Sequence, residues 1–266
     1  MVAEATVGLQ PAPFFLLPPS SIPPPVSIEE RQQEEKAQRR RSLVDAAEAV
    51  LGRMPMENMT MADIASAARL SRSLLYVYFE DMEDIVLAVT LRGFEALAEQ
   101  FEAAVQAHDA GLMQIRAVGE AYVRFAHEQP TYFDLVARFE ARSADPEAAT
   151  DRERACLAAA DRVMTAMTDA IQNGIDDGSI RPDLDPTETA TMLWGYTHGL
   201  IQLMANKETG LQQQYGINPD ALIDRGLDFI GVALTGTSPH PAPTIPTEAS
   251  LAQQGKDSRS RPPSLF

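Results

Sequence analysis

The chain is predicted to be all-α, and three observations carry that prediction. Apolar residues recur at helical spacing through nearly the whole interval from residue 31 to residue 235. Alternating β-branched runs, and the Asn-Gly or Asp-Gly hairpin turns they would flank, are absent. The stretch from Thr60 to Phe79, T-M-A-D-I-A-S-A-A-R-L-S-R-S-L-L-Y-V-Y-F, reads as two short helices joined by a three- or four-residue turn. That is the layout of a helix-turn-helix, in which one helix braces and the other enters the DNA major groove.

The first helix is expected from about Arg31 to Arg53, with Leu43, Ala46, Ala47, Val50 and Leu51 at helical spacing. Pro55 ends it, because proline disfavours a helical residue before it. Met54, Met56, Met59 and Met61 follow; thioethers alone ligate most metals poorly, so these read as adaptable core filler. Thr60-x-x-Asp63 opens the second helix as a capping box, with Ile64, Ala67 and Ala68 facing inward. Ala68-Arg69-Leu70 is the turn, and Ser71 caps a third helix of about two turns. Leu75 and Phe79, four apart, bury. Later helices are expected at about 81–105, 112–128, 131–141, 146–177, 186–207 and 218–234, several of them opened by a proline.

The flanks differ. Residues 1–30 hold seven prolines and residues 236–266 hold six, and both are expected to be disordered. The apolar patch Phe14–Leu17 is too short to span a bilayer and has no basic segment before it, so neither a membrane helix nor a signal peptide is expected. Cys156 is the only cysteine. It cannot form an internal disulfide, and a reducing cytoplasm is the expected compartment.

The formal net charge of -16 argues against a nucleic-acid binder only when read globally. Residues 31–79 carry eight basic and six acidic side chains, whereas the remainder carries 14 and 32. A basic head on an acidic body that DNA repels orients docking. Within the head, Arg72 is the expected base reader, since a guanidinium can bond both N7 and O6 of guanine. Ser73 and Leu74 are expected to face bases or thymine methyls. Tyr76 and Tyr78 are expected on phosphates or sugars, Tyr78 being equally placed to pack inside the head. Thr60 can cap and also touch a phosphate, as can Ser71 at the start of the reading helix.

At this point the residues carry a recognisable pattern. L-V-D-A-A in the first helix, T-M-A-D-I-A-S-A-A in the second, L-S-R-S-L-L-Y-V-Y-F in the turn and third, and E-D-M-E-D-I-V-L-A-V in the fourth resemble the DNA-binding domain of TetR-family transcriptional regulators. A-H-E-Q-P-T-Y-F-D-L-V, G-S-I-R-P-D-L-D-P and W-G-Y-T-H-G-L resemble the family's looser second module, so the resemblance covers about residues 35–234. It implies a helix-turn-helix domain over 31–97 with its motif at 60–79 and a ligand-binding and dimerisation domain over 98–235, between the Pro-rich leader over 1–30 and the tail over 236–266 that composition marks. Three departures stand out. Arg69 sits where the family usually has a turn glycine, Met82 where it often has a phosphate-gripping lysine, and Pro55-Met56 where a Gly-aromatic pair is common. Arg39, Arg40 and Arg41 are the expected source of the backbone grip that position 82 lacks.

A single short helix reads few base pairs, so specific affinity requires two copies on a near-palindrome, hence a homodimer on a double-stranded operator. The last two helices are its expected interface, through Leu193, Tyr196, Thr197, Leu200 and Met204 on one and Leu222, Leu227, Ile230 and Leu234 on the other. The resemblance implies a four-helix bundle there; plain intramolecular core is the alternative for the same residues. Tyr122, Phe125, Phe133, Met164, Trp194 and His198 are the candidate contacts for a largely apolar small-molecule effector, although aromatic and Met residues at helical spacing also serve as ordinary core.

Enzyme readings do poorly. The four histidines show no metal-ligand pairing such as H-E-x-x-H, and no G-x-S-x-G, P-loop or dinucleotide fingerprint appears. Neither a metal nor an organic cofactor is expected. The residues thus point to a ligand-responsive dimeric repressor. A TetR-like interaction protein with weak or lost DNA binding is the alternative that Arg69, Met82 and the acids at 80–84 motivate.

Overall fold

Ser27 begins the described chain by capping a helix. Its hydroxyl accepts the Glu30 N–H at 3.1 Å and its own N–H donates to the Glu30 carboxylate at 2.7 Å, a reciprocal capping box that holds the Glu30 carboxyl below its usual range. α1 therefore runs Ile28–Leu51. Residues 28–30, assigned from the sequence to a disordered leader, are helical, and the S-I-E-E spelling was the signal for it. The computed structural model describes residues 27–141 and 149–236; the rest of the Pro-rich leader, the tail from 237 and the expected helix start near Pro146 lie outside the described residues.

Two compact units divide the chain at residues 42 and 43. The described part of the first is the leading stretch of α1, polar and solvated, with Arg39 and Arg41 exposed and Arg40 half-buried. In the second unit, a 3-10 turn (Met56–Asn58) precedes α2 (Met61–Ala67), α3 (Arg72–Tyr78), α4 (Met82–Gln106), α5 (Gly111–Glu128), α6 (Pro130–Glu140), α7 (Asp151–Asp177), α8 (Pro186–Tyr215) and α9 (Pro219–Thr235). Among the described residues there is no strand, as the sequence predicts, and no helix is long and apolar enough to cross a membrane. α7 begins at a Thr150–Glu153 capping box, later than expected, and α8 continues eight residues beyond the expected 207.

The second unit has two apolar cores. Leu43, Val50, Ile64, Leu75, Phe79, Ile85 and Val89 close the head, with Met59 and Met61 buried among them as filler and Leu135 entering from α6. Phe94, Phe101, Ile115, Tyr122, Phe125, Val136, Cys156 and Ile171 form the larger body core. Full burial of a Leu or Phe contributes about 1.5–3 kcal/mol. α4 supplies both cores from one unbroken helix, so no break in the backbone falls at residue 97.

α5 starts with Ala110, which offers no side-chain cap. Its free N–H groups are served by the far end of α7 instead: Gly111 N–H donates to the Asp177 carboxylate at 2.8 Å and Leu112 N–H to the Ser179 hydroxyl at 3.1 Å. Bonds from the Ser179 hydroxyl and then the Gly111 N–H hold the Asp177 carboxyl below its usual range. This docking needs bare backbone, because a Cβ on Gly111 would lie 2.1 Å from the Gly174 nitrogen. Backbone cannot swing aside as a side-chain end can, so Gly111→Ala is expected to destabilise the fold by about 2–3 kcal/mol, read as a lower denaturant midpoint in chemical unfolding.

Candidate DNA-reading surface and interior pocket

The bracing helix α2 is fixed at its start by the predicted capping box. Asp63 N–H donates to the Thr60 hydroxyl at 3.3 Å and Thr60 N–H donates to the Asp63 carboxylate at 2.9 Å. The Thr60 hydroxyl, foremost among its bonds, holds the Asp63 carboxyl below its usual range. Thr60 thus spends its side chain on the cap and stays exposed at the helix start.

α2 ends in a Schellman turn. Leu70 N–H donates to Ala65 C=O at 2.9 Å and Arg69 N–H to Ser66 C=O at 3.1 Å, the paired bonds that close such a motif. The residue between must be left-handed, and Arg69 has φ 56, alone among the described non-glycine residues in having positive φ. The departure from the family's glycine leaves the turn geometry intact and concentrates its cost at one residue.

Ser71 then caps α3, accepting Leu74 N–H at 3.2 Å and lying 3.0 Å from the Ser73 hydroxyl. Leu75 is fully buried and ties α3 to the head core. Arg72, Ser73, Tyr76 and Val77 face outward, Tyr76 half exposed and Val77 68% exposed. Leu74 is half-buried, and Tyr78 is half-buried against the head core, the packing alternative open to it in the sequence. Val77 was not among the sequence candidates. Its position four residues after Ser73, on the same helical face, was the available signal.

The acids after α3 have defined structural tasks. Asp81 caps α4 by accepting Asp84 N–H at 2.9 Å, and Asp84 accepts Glu80 N–H at 3.2 Å. The Asp84 carboxylate also pairs with Arg152 of α7. Met82 packs half-buried against the head core.

In the body, Tyr122, Phe133, Trp194 and His198 come together. The Tyr122 hydroxyl lies 2.8 Å from His198 Nδ1. The His198 ring stacks on Phe133 with centroids 5.2 Å apart, and Trp194 lies 5.6 Å away. Burial lowers the His198 pKa and raises that of Tyr122, so the pair is an uncharged hydrogen bond in an aromatic cage. Beside it is a cavity of about 20 Å³ lined by Phe101, Val118, Tyr122, Met167, Trp194 and Thr197 among others. That is room for about one water. An open cleft of about 940 Å³ runs between α5, α6, α8 and α9, and Phe133 lines it. Phe125 and Met164, the other two candidates, line neither space: Phe125 is fully buried in the body core and Met164 packs half-buried against it. Among the described residues no group of three or more His, Cys, Asp or Glu could hold a metal ion.

Most of the residues expected at an interface on α8 and α9 lie inside the chain, the alternative open to them in the sequence, and Tyr196 alone among them is exposed. Thr197, Met204, Leu227, Ile230 and Leu234 are buried within the chain itself, and Leu193 and Leu200 are half-buried. The richer apolar stripe of each helix turned inward, where it packs against the body. The stripe left in solvent is Met192, Tyr196, Leu203, Phe229 and Val232. Gly195, Gly199 and Gly231 lie in the same two helices, and a Cβ on any of them would meet nothing within 4 Å beyond its own stretch of helix.

Comparison with known proteins matches residues 43–89 to the family of bacterial regulatory proteins called tetR, and residues 115–230 to the tetracyclin repressor-like C-terminal domain. No curated protein matches the sequence. Among solved structures, a transcriptional regulator of the TetR/AcrR family from Thermobifida fusca YX-ER1 superposes with TM-score 0.58 at 19% identity, over 73% of this chain and 97% of that one. FadR from Bacillus subtilis, in complex with stearoyl-CoA, gives 0.57 at 17%, over 74% and 98%. AibR, in complex with isovaleryl coenzyme A and operator DNA, gives 0.55 at 17%, over 75% and 100%. At these identities the likeness is one of fold.

The left-handed residue of the turn yields a direct test. A non-glycine residue there costs about 1–2 kcal/mol, partly offset because glycine loses more entropy on folding. Arg69→Gly is expected to raise stability by about 0.5–1 kcal/mol, seen as a higher melting temperature with an unchanged helical circular-dichroism spectrum.

Proposed function

The chain belongs to the TetR family of bacterial regulatory proteins, and from that premise we propose that it is a ligand-responsive dimeric repressor acting on a near-palindromic operator in the cytoplasm. One observation carries the reading. The Schellman turn at Arg69 sets α3 behind a capped α2 so that Arg72, Ser73, Tyr76 and Val77 form one outward face anchored by buried Leu75. Arg72 supplies bidentate guanine recognition, Val77 an apolar contact for a thymine methyl, and Tyr76 a phosphate or sugar contact. Ser71, Thr60 and the ends of α2 and α3 flank that face. Arg39, Arg40 and Arg41 add phosphate contacts in place of the lysine that Met82 displaces.

Two such faces must be held together to read two half-sites. The apolar stripe of Met192, Tyr196, Leu203, Phe229 and Val232 is the surface proposed to pair, with the open glycines letting the helices approach. The effector enters the body at the aromatic cage. An uncharged Tyr122–His198 pair among aromatic rings favours a largely apolar group. Because two structures of similar fold hold acyl-CoA molecules, an acyl thioester is the class to test first. A coupling of about 1–3 kcal/mol between cage and DNA face changes operator affinity 5- to 150-fold.

Two measurements test the reading. Binding to the chain's own promoter region is expected to be sequence-dependent and to weaken steeply with salt. Arg72→Ala is expected to cut the preference for operator over unrelated DNA by about 5- to 150-fold, the worth of one bidentate base contact. Equal loss on every sequence contradicts base reading by Arg72. A folded dimer that binds no DNA at low salt favours the interaction-protein reading, which Met82 in the head core supports. For the effector, Trp194 is the only tryptophan and lines the small cavity. Titration with acyl-CoA molecules of increasing chain length is expected to shift its emission saturably, and a flat response across the series removes that ligand class.

A further inference from the structure

Arg152 stands in the first turn of α7, at a helix end whose dipole disfavours a cation. It is only 15% exposed and pairs through Nε with the Asp84 carboxylate, itself 22% exposed. Its guanidinium also lies 5.5 Å from the centre of the Phe79 ring, and Phe79, 1% exposed, is the residue that ends the recognition helix. The same Asp84 carboxylate accepts Glu80 N–H. One arginine of the body therefore touches the C-cap residue of α3 and, through Asp84, holds the linker that carries α3 into α4. Farther along the same helix, near its middle, Met167 lines the small interior cavity. Fifteen residues separate the two, about 22 Å along a continuous helix.

We propose that Arg152 is a positioning residue for DNA recognition, and that α7 is the rod by which filling of the interior cavity moves the recognition helix. The inference rests on the proposed function for what α3 reads, but not for the mechanical link. A cavity with room for about one water cannot take a larger group without displacing its walls. Displacement of Met167 shifts α7, and Arg152 carries that shift to Phe79 and Glu80. A second strut runs beside it: α6 brings Phe133 to the cage and, on its last turn, Arg138 bonds Glu57 ahead of α2 at 2.8 Å.

A double-mutant cycle tests the link without a ligand. Met167→Phe overfills the cavity and stands in for occupancy; Val118→Ile, which adds one methylene, serves if that variant does not fold. Arg152→Met keeps an unbranched apolar stem but removes the charged guanidinium. Sites this far apart normally act additively, within about two-fold. The readout is hydrogen exchange at the amides of residues 75–80, with operator affinity as a second readout. The cavity substitution is expected to accelerate exchange there at least five-fold in the natural background and less than two-fold in the Arg152→Met background. Arg152→Lys, which keeps the charge but lacks the planar fork, is expected to fall between. Equal effects in both backgrounds, or no effect of the cavity substitution on residues 75–80 in either, overturns the proposal. Arg152 would then only brace α7. A natural chain that binds no operator refutes the DNA-reading function while the exchange data still decide the link.

Discussion

The structure depends on the fact that one helix is asked to complete two cores. α4 buries Ile85 and Val89 in the head and Phe94, Leu97 and Phe101 in the body. A helix transmits displacement along its axis because its backbone bonds are all internal, and close-packed interiors do not absorb strain as a liquid would. Head and body therefore cannot choose their positions independently. Further contacts between them include Leu135 in the head core and the pairs Arg152–Asp84 and Arg138–Glu57.

Polar groups at the head are used for precision more than for strength. The caps at Thr60, Ser71 and Asp81 are exposed and each stabilises its helix by about 1 kcal/mol. The first two fix where two seven-residue helices begin, and the third where α4 does; helices as short as α2 and α3 have little propensity-driven stability of their own. Leu75 and Phe79 supply the burial. Asp81 and Asp84 belong to this framework, so part of the negative charge that follows α3 is spent on capping and pairing.

Local features of the fold were readable wherever a short-range rule decides the outcome. Thr60-x-x-Asp63, Ser71 and the 75/79 apolar pair define the head because caps and periodicity act within one turn of helix. The Ser27–Glu30 box obeys the same rule and shows that the leader's helical end was readable too. What the chain does at long range was not. Nothing in the sequence distinguishes Thr197, which packs inside, from Tyr196, which faces out, because both helix faces of α8 carry apolar residues and tertiary packing chooses between them. Phe125 and Met164 are large apolar residues at helical spacing, as Tyr122 and Trp194 are, yet only the second pair borders the cavity. No local pattern in the sequence singles out Arg152, whose ion-pair partner is 68 residues away.

The small size of the cavity beside the aromatic cage has a consequence for how a sensor of this kind is tuned. A site that is shut in its resting form is entered only by the fraction of molecules that happen to be open, and the apparent affinity is the intrinsic affinity scaled by that fraction. If roughly one molecule in a hundred is open, the threshold concentration rises about a hundredfold with no change in any contact to the ligand. On the proposed reading, the dose at which such a protein responds is set by the packing of Val118, Met167 and Thr197, while Tyr122 at the cavity wall, with His198 behind it, selects what crosses the threshold.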